Sequence, residues 1–129
     1  MYHAVFFANP GSNKAPVRDY INRVSDKEKA KIFKYVDYLV DHRGVLDEPY
    51  AKHITGKIRE LRVGFARNRH RIFFFTFIGR KIVLLHAFLK KTQKTPQIEI
   101  RKAQANYQKI INNPNLYESY LSFKKTHGL

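Results

Sequence analysis

The chain has no cysteine. Disulfides, thiolate nucleophiles and Cys-ligated zinc are excluded together, and a reducing compartment suits the chain. It also lacks any apolar run near the roughly 18 residues a membrane helix needs. Its longest such runs, around Ile72–Ile78 and Ile82–Leu89, have strand length. The opening MYHAVFFANPG has no basic segment ahead of a long apolar stretch, so no signal peptide is read there. A soluble, cytoplasmic protein with no membrane contact is expected. Acidic residues are scarce, ten against 25 Lys and Arg, which leaves a formal net charge of +15. Such a balance suits a phosphate-rich polymer as ligand, and it calls for an acidic or masking partner in the cell.

Other signatures are missing too. The six histidines (His3, His42, His53, His70, His86, His127) show no H-E-x-x-H or comparable spacing. No glycine-rich phosphate loop follows a strand, and there is no G-x-S-x-G elbow. Neither a metal nor a cofactor is expected. What is present is a core: ten Phe and eight Tyr within a 43% hydrophobic composition argue against a disordered basic tail. A length of 129 residues suits a single domain over 1–129.

The periodicities predict the elements. Tyr2–Phe7 reads as a strand closed by Asn9, Pro10, Gly11 and Ser12. A short helix is predicted from Pro16 to Arg23. Ser25 and Glu28 form a capping box, followed by Ile32, Phe33, Val36, Leu39 and Val40 at helical spacing toward Gly44. Val45–Gly56 reads as a loop. Lys57–Val63, Arg69–Ile78 and Lys81–Leu89 read as strands, the last two joined by a tight turn at Gly79 and Arg80. Thr95 as cap and Pro96 in the first turn start a helix to Asn112, with Ile100, Ala103, Tyr107 and Ile111 as its inner stripe. A short amphipathic segment, Leu116–Lys125, finishes the chain, and residues 113–129 form an extension. The expected class is α+β: a small antiparallel sheet, two N-terminal helices packed on one face, a C-terminal helix, and an opposite face left partly free.

Three constellations can carry chemistry. Alternation puts Glu60 and Arg62 on one face of their strand, either as a solvated ion pair or as an arginine aimed at phosphate, with Glu60 orienting it or acting as base. Arg67, Arg69 and Arg71 alternate ahead of Ile72–Phe75, although Arg67 can still belong to the turn. A guanidinium fixed on a strand holds phosphate bidentately, which a flexible lysine does less well. His86, Lys90, Leu84 and Phe88 are expected on one face. His86 is either a core histidine with one hydrogen bond or a proton-transfer group. Lys90 and Lys91 are crowded by like charge, which disfavours protonation and lets one act in proton transfer. Their plainer role is phosphate attraction.

The stretches H-I-T-G-K-I-R-E-L-R-V (His53–Val63), R-I-F-F-F (Arg71–Phe75), K-I-V-L-L-H-A-F (Lys81–Phe88) and K-K-T-Q-K-T-P (Lys90–Pro96), followed by Glu99, Ile100 and Ala103, resemble the HigB-like, phage-derived branch of the RelE/ParE toxin superfamily. The resemblance covers residues 2–112 and departs at Arg59, at Ala87 and beyond Asn112. It implies a RelE-like fold and the toxin of a type II toxin–antitoxin pair, an endoribonuclease that cuts mRNA in the ribosomal A site. It also implies a helix-turn-helix, HigA-like antitoxin, through which alone the toxin reaches operator DNA. Glu60, Arg62, Arg71, His86, Lys90 and Lys91 become the expected catalytic residues, and Lys52, His53, Lys57, Arg67, Arg69 and Lys94 the expected RNA contacts. The alternative on the same fold is a non-catalytic, ParE-like inhibitor of DNA gyrase. A third reading is a plain nucleic-acid-binding module without toxicity.

Overall fold

The computed structural model describes residues 1–77 and 79–128. Ile78, the predicted end of one strand, and Leu129, the last residue of the predicted extension, lie outside them. Strand β1 (His3–Phe7) leads through the predicted turn to helix α1 (Pro16–Arg23), which falls where Pro16 and the Val17–Ile21 spacing put it. Helix α2 (Asp26–Asp41) is capped by Ser25, whose hydroxyl accepts from the Glu28 N–H at 3.2 Å. The capping box is half formed. The Glu28 carboxylate accepts from the Ser25 hydroxyl and reaches across to the sheet, rather than back to the first backbone donor. Ile32, Phe33, Val36 and Leu39 are buried on one stripe, each worth about 1.5–3 kcal/mol of apolar transfer. After α2, Gly44 is fixed by two demands. It sits at a φ of +79°, and a Cβ there would collide with the Thr76 hydroxyl.

The predicted loop 45–56 contains a strand, β2 (Ala51–Thr55). It pairs antiparallel with β3 (Ile58–Phe65), which continues into β4 (Asn68–Phe77) and β5 (Lys81–Leu89). Then come α3 (Gln97–Asn112), a short β6 (Tyr117–Ser119) and α4 (Tyr120–Thr126). The sheet order is β2-β3-β4-β5-β1-β6, antiparallel throughout except for the parallel β1–β5 pair. The fold is the expected mixed α+β, with more strands than the sequence patterns revealed. Among the described residues no helix is long and apolar enough to cross a membrane.

Both faces of the sheet are packed. Phe6, Leu61, Val63, Ile72, Phe74, Ile82 and Leu84 meet α1 and α2, as expected, and Tyr120 of α4 joins them. Val5, Phe7, Phe73, Phe75, Val83 and Leu85 meet α3 on the other side. The face expected to be partly free is therefore covered by α3 over β5 and its neighbours. The stripe of α3 is also displaced: Ala103, Asn106 and Ile110 are buried, whereas Ile111 is 40% exposed. Pro96 rather than Thr95 takes the N-cap position, with no side-chain cap.

A bulge explains the second correction. The β4–β5 register shifts between Phe73 and Phe74, which face His86 and Leu84 respectively and leave Leu85 as the extra residue. Leu84 therefore packs against α1 and α2, while Phe88 packs with the α3 side, so the expected shared face is broken. The Leu85 carbonyl accepts from Asn106 Nδ2 at 2.9 Å, which accounts for a buried amide in the helix–sheet interface. The C-terminal extension packs rather than projects. β6 pairs with β1, Arg18 of α1 pairs with Glu118, and the single proton of the Tyr120 hydroxyl is shared between Asp37 Oδ1 at 2.9 Å and the Phe33 carbonyl at 3.1 Å.

Candidate active site

Glu60, Arg62, Arg69 and Arg71 fall on one face because β3 and β4 are regular and their register is unbroken there. Arg62 lies directly opposite Arg71, and Gly64 opposite Arg69. Like charges at opposed positions destabilise a sheet unless something offsets them. Glu60 does so: its carboxylate is 0% exposed, 3.1 Å from Arg62 Nε and 3.7 Å from Arg71 Nε. The first distance is a hydrogen bond; the second is an ion pair only. Arg71 donates instead to the carbonyl of His70 at 3.1 Å, and its buried Nε has no hydrogen-bond partner in the protein.

Lys90 joins this group from the end of β5, where its N–H donates to the Arg69 carbonyl at 2.8 Å. Burial pushes the pKa of the Lys90 ammonium down; Glu60 opposes this, and Arg71, Arg62 and Arg69 add to it. Burial likewise lowers Arg71, against Glu60 and with Arg62 and Arg69, yet a guanidinium stays charged at any physiological pH. Arg62, Arg71 and Lys90 thus lie beside one buried carboxylate, and Arg69 adds a fourth cation next to Arg71 and Lys90. The loop that follows brings the Thr95 hydroxyl to 3.5 Å from Glu60 Oε2, leaving Lys91 and Lys94 exposed.

Of the other expected residues, Lys52 borders this group as the register partner of Glu60, while His86, His53, Lys57 and Arg67 lie apart from it. His86 Nε2 hydrogen-bonds Glu99 of α3 at 2.7 Å, and its ring lies nearly parallel to that of Phe88. Burial drives its pKa down while Glu99 pulls the other way. This is the core-histidine arrangement. Lys52 is exposed opposite Glu60 at the sheet edge. His53 pairs with Arg59 on the α2 side, and its ring nitrogen is bonded to the Gly56 carbonyl, so it points away from the arginines. Lys57 lies in the β2–β3 turn, and Arg67 in the β3–β4 turn rather than on the strand.

Sequence patterns missed what holds β4 in place from behind. His70 is 2% exposed and faces the helices; the Tyr20 hydroxyl lies 2.6 Å from its Nδ1 and Glu28 2.6 Å from its Nε2. Burial, with Glu28 adding to it, raises Tyr20 to about 12, so Tyr20 donates, and Nε2–H then donates to Glu28. The available signal was its alternation with Ile72. Hydrogen bonds from Asn68, Ser25 and His70 hold Glu28 at about 2 rather than the usual 4.5, despite desolvation. A depressed carboxyl stabilises the fold above its unfolded pKa, and that contribution fades as pH falls from about 4.5 toward about 2. Glu28→Gln is expected to remove this part of the acid dependence. Thermal midpoints measured across that window should fall less steeply in the variant than in the parent; identical slopes would contradict the role assigned to Glu28.

Residues 19–108, from α1 through most of α3, match the family described as phage-derived Gp49-like protein (DUF891). The chain belongs to that family. The matched region contains every residue of the cationic group. Gp49-like membership is compatible with the toxin of a toxin–antitoxin system and with an antitoxin as partner. No curated protein matches the chain.

Proposed function

We propose that this Gp49-like protein is the toxin of a type II toxin–antitoxin pair, of the HigB-like kind, and that it cleaves mRNA on the ribosome without a metal. The observation that carries the reading is the grouping of Arg62, Arg69, Arg71 and Lys90 on one face of the sheet, with the buried Glu60 between Arg62 and Arg71. RNA brings its own nucleophile, so the protein need only position a phosphate and move protons. The 2′-OH attacks the adjacent phosphorus and the bond to the 5′ oxygen breaks, giving a 2′,3′-cyclic phosphate and a 5′-OH. Arg62 and Arg71 hold the non-bridging oxygens and stabilise the charge that develops on them.

Glu60 is too buried to meet the 2′-OH. It is a positioning residue that aims the two guanidinium groups. Lys90, shifted toward its neutral amine, accepts the 2′-OH proton, and the exposed ammonium of Lys91 supplies one to the leaving 5′ oxygen. Ribosomal RNA attracts a chain of charge +15, and the A site presents mRNA in a constrained conformation. A helix-turn-helix, HigA-like antitoxin masks the basic surface and carries the complex to operator DNA.

Induction in growing cells, followed by mapping of transcript 5′ ends, tests the reading. New ends within translated messages are expected. Intact messages with gyrase trapped on DNA would favour the gyrase-inhibitor alternative, and growth without arrest would favour simple binding.

A further inference from the structure

One flank of α2 carries Lys31, Lys34, Tyr35 and Tyr38 at helical spacing, so cations and rings share one stripe. Lys31 Nζ lies 5.8 Å from the Tyr35 ring centre and 5.9 Å from that of Phe65, at the end of β3. Tyr50 leans onto the stripe from the sheet edge, its ring centre 6.1 Å from Tyr35 and 5.6 Å from Tyr38. Lys34 and the three tyrosines line a cavity of about 250 Å³. Tyr38 is 43% and Tyr50 39% exposed, unusual for rings that the core does not need. The His42 ring lies tilted against Tyr38, ring centres 4.5 Å apart.

The stripe and the cationic group lie on opposite faces of the sheet and meet at its β2 edge, where Tyr50 stands. The Tyr50 carbonyl accepts the Arg62 N–H at 2.8 Å, so Tyr50 leaves the chain one strand spacing, about 4.8 Å, from Arg62. Rings interleaved with ammonium groups are the arrangement that single-stranded nucleic acid uses, with bases on the rings and phosphates on the cations. The acidic groups near the cavity are Asp37 and Asp41 of α2 and the exposed Asp47 and Glu48 ahead of Tyr50, and Asp37 is already taken by Lys124 and the Tyr120 hydroxyl.

We propose that the Tyr35–Tyr38–Tyr50 cavity takes a nucleobase of the single-stranded RNA whose phosphate lies at Arg62 and Arg71, the strand passing around the β2 edge. The inference rests on the ribonuclease reading for where that phosphate sits. The test is binding of a fluorescent, uncleavable 2′-O-methyl RNA of mixed sequence to the full chain at fixed ionic strength. A strand of the same length built of abasic residues serves as comparison. Tyr38→Ala and Tyr50→Ala are each expected to weaken the base-bearing strand by on the order of tenfold and to leave the abasic strand unchanged. Tyr38→Phe and Tyr50→Phe should restore binding, because stacking needs the ring alone. Both side chains are exposed, and a thermal melt confirms that each variant folds.

Variants that bind both strands as the parent does would overturn the inference. So would variants that bind RNA normally and lose only a protein partner, since the patch would then be a protein interface. Because the strand is not cleaved, the two readings fail separately. A parent that binds through these tyrosines but never cuts RNA would sink the ribonuclease assignment and leave the base site standing.

Discussion

Lys90→Ala is expected to slow RNA cleavage by roughly 10²–10⁴-fold while moving the thermal midpoint very little. The side chain is only half-buried, and the bond that fixes this point of the chain, Lys90 N–H to the Arg69 carbonyl, belongs to the backbone and survives the substitution. What is lost is the amine. In the parent, burial and three arginines lower the Lys90 pKa, so the cleavage rate should climb with pH as the amine becomes neutral. The variant should lose that climb, whereas a mere phosphate contact would leave the slope intact and shift only the affinity. Arg71→Ala should cost about 10²–10³-fold through lost charge stabilisation and move the alkaline rise to higher pH without abolishing it, because one of the arginines that lowers Lys90 is gone. A Lys90→Ala enzyme that kept both its rate and its alkaline rise would remove Lys90 from the proton path.

Glu60→Ala is expected to be the most destabilising single change in the site, by about 3–5 kcal/mol, since it leaves Arg71 buried without a counterion. For a chain of this size that is a drop in thermal midpoint of more than about 10 °C. Arg62 and Arg71 would then repel across the β3–β4 pair with nothing between them, and cleavage should fall as the guanidinium groups drift from their phosphate. Glu60→Gln keeps the volume and part of the hydrogen bonding to Arg62, so it should lose less stability than alanine does. If Glu60→Ala melted with the parent, the carboxylate would not be the group that holds the arginines together.

Much of the candidate site was legible because it rests on strands whose alternation is regular. Glu60 and Arg62 share a face with Arg71 for the same reason that Leu61, Val63 and Ile72 share the other. The strand β2 was not legible. Ala51–Thr55 lies between Pro49 and Gly56, has no clear apolar alternation, and is a strand because β3 offers it a pairing edge. The bulge at Leu85 was hidden by composition: a continuous run of apolar residues from Ile82 to Leu85 gives no polar marker by which a slipped register can be seen. Its consequence, Leu84 on one face and Phe88 on the other, put the predicted grouping around His86 wrong. Thr95 looked like a cap by type and position, but the loop turns its hydroxyl toward Glu60. The side of the sheet that α3 covers follows from Asn106 and Glu99 finding the Leu85 carbonyl and His86, contacts that exist only once the bulge does. The clustered tyrosines escaped notice because two come from α2 and the third from a segment read as loop.

On the proposed reading, guanidinium and ammonium groups from β3, β4 and the end of β5 let RNA cleave itself through its own 2′-OH. The chemistry of the cut ends tests it most directly. Ribosomes programmed with a defined mRNA are mixed with the purified protein, and both new termini are identified. A 5′-OH and a 2′,3′-cyclic phosphate are expected, with no cut where the nucleotide before the scissile bond is 2′-deoxy. A 5′-phosphate with a 3′-OH, or cleavage that persists at the deoxy position, would contradict it.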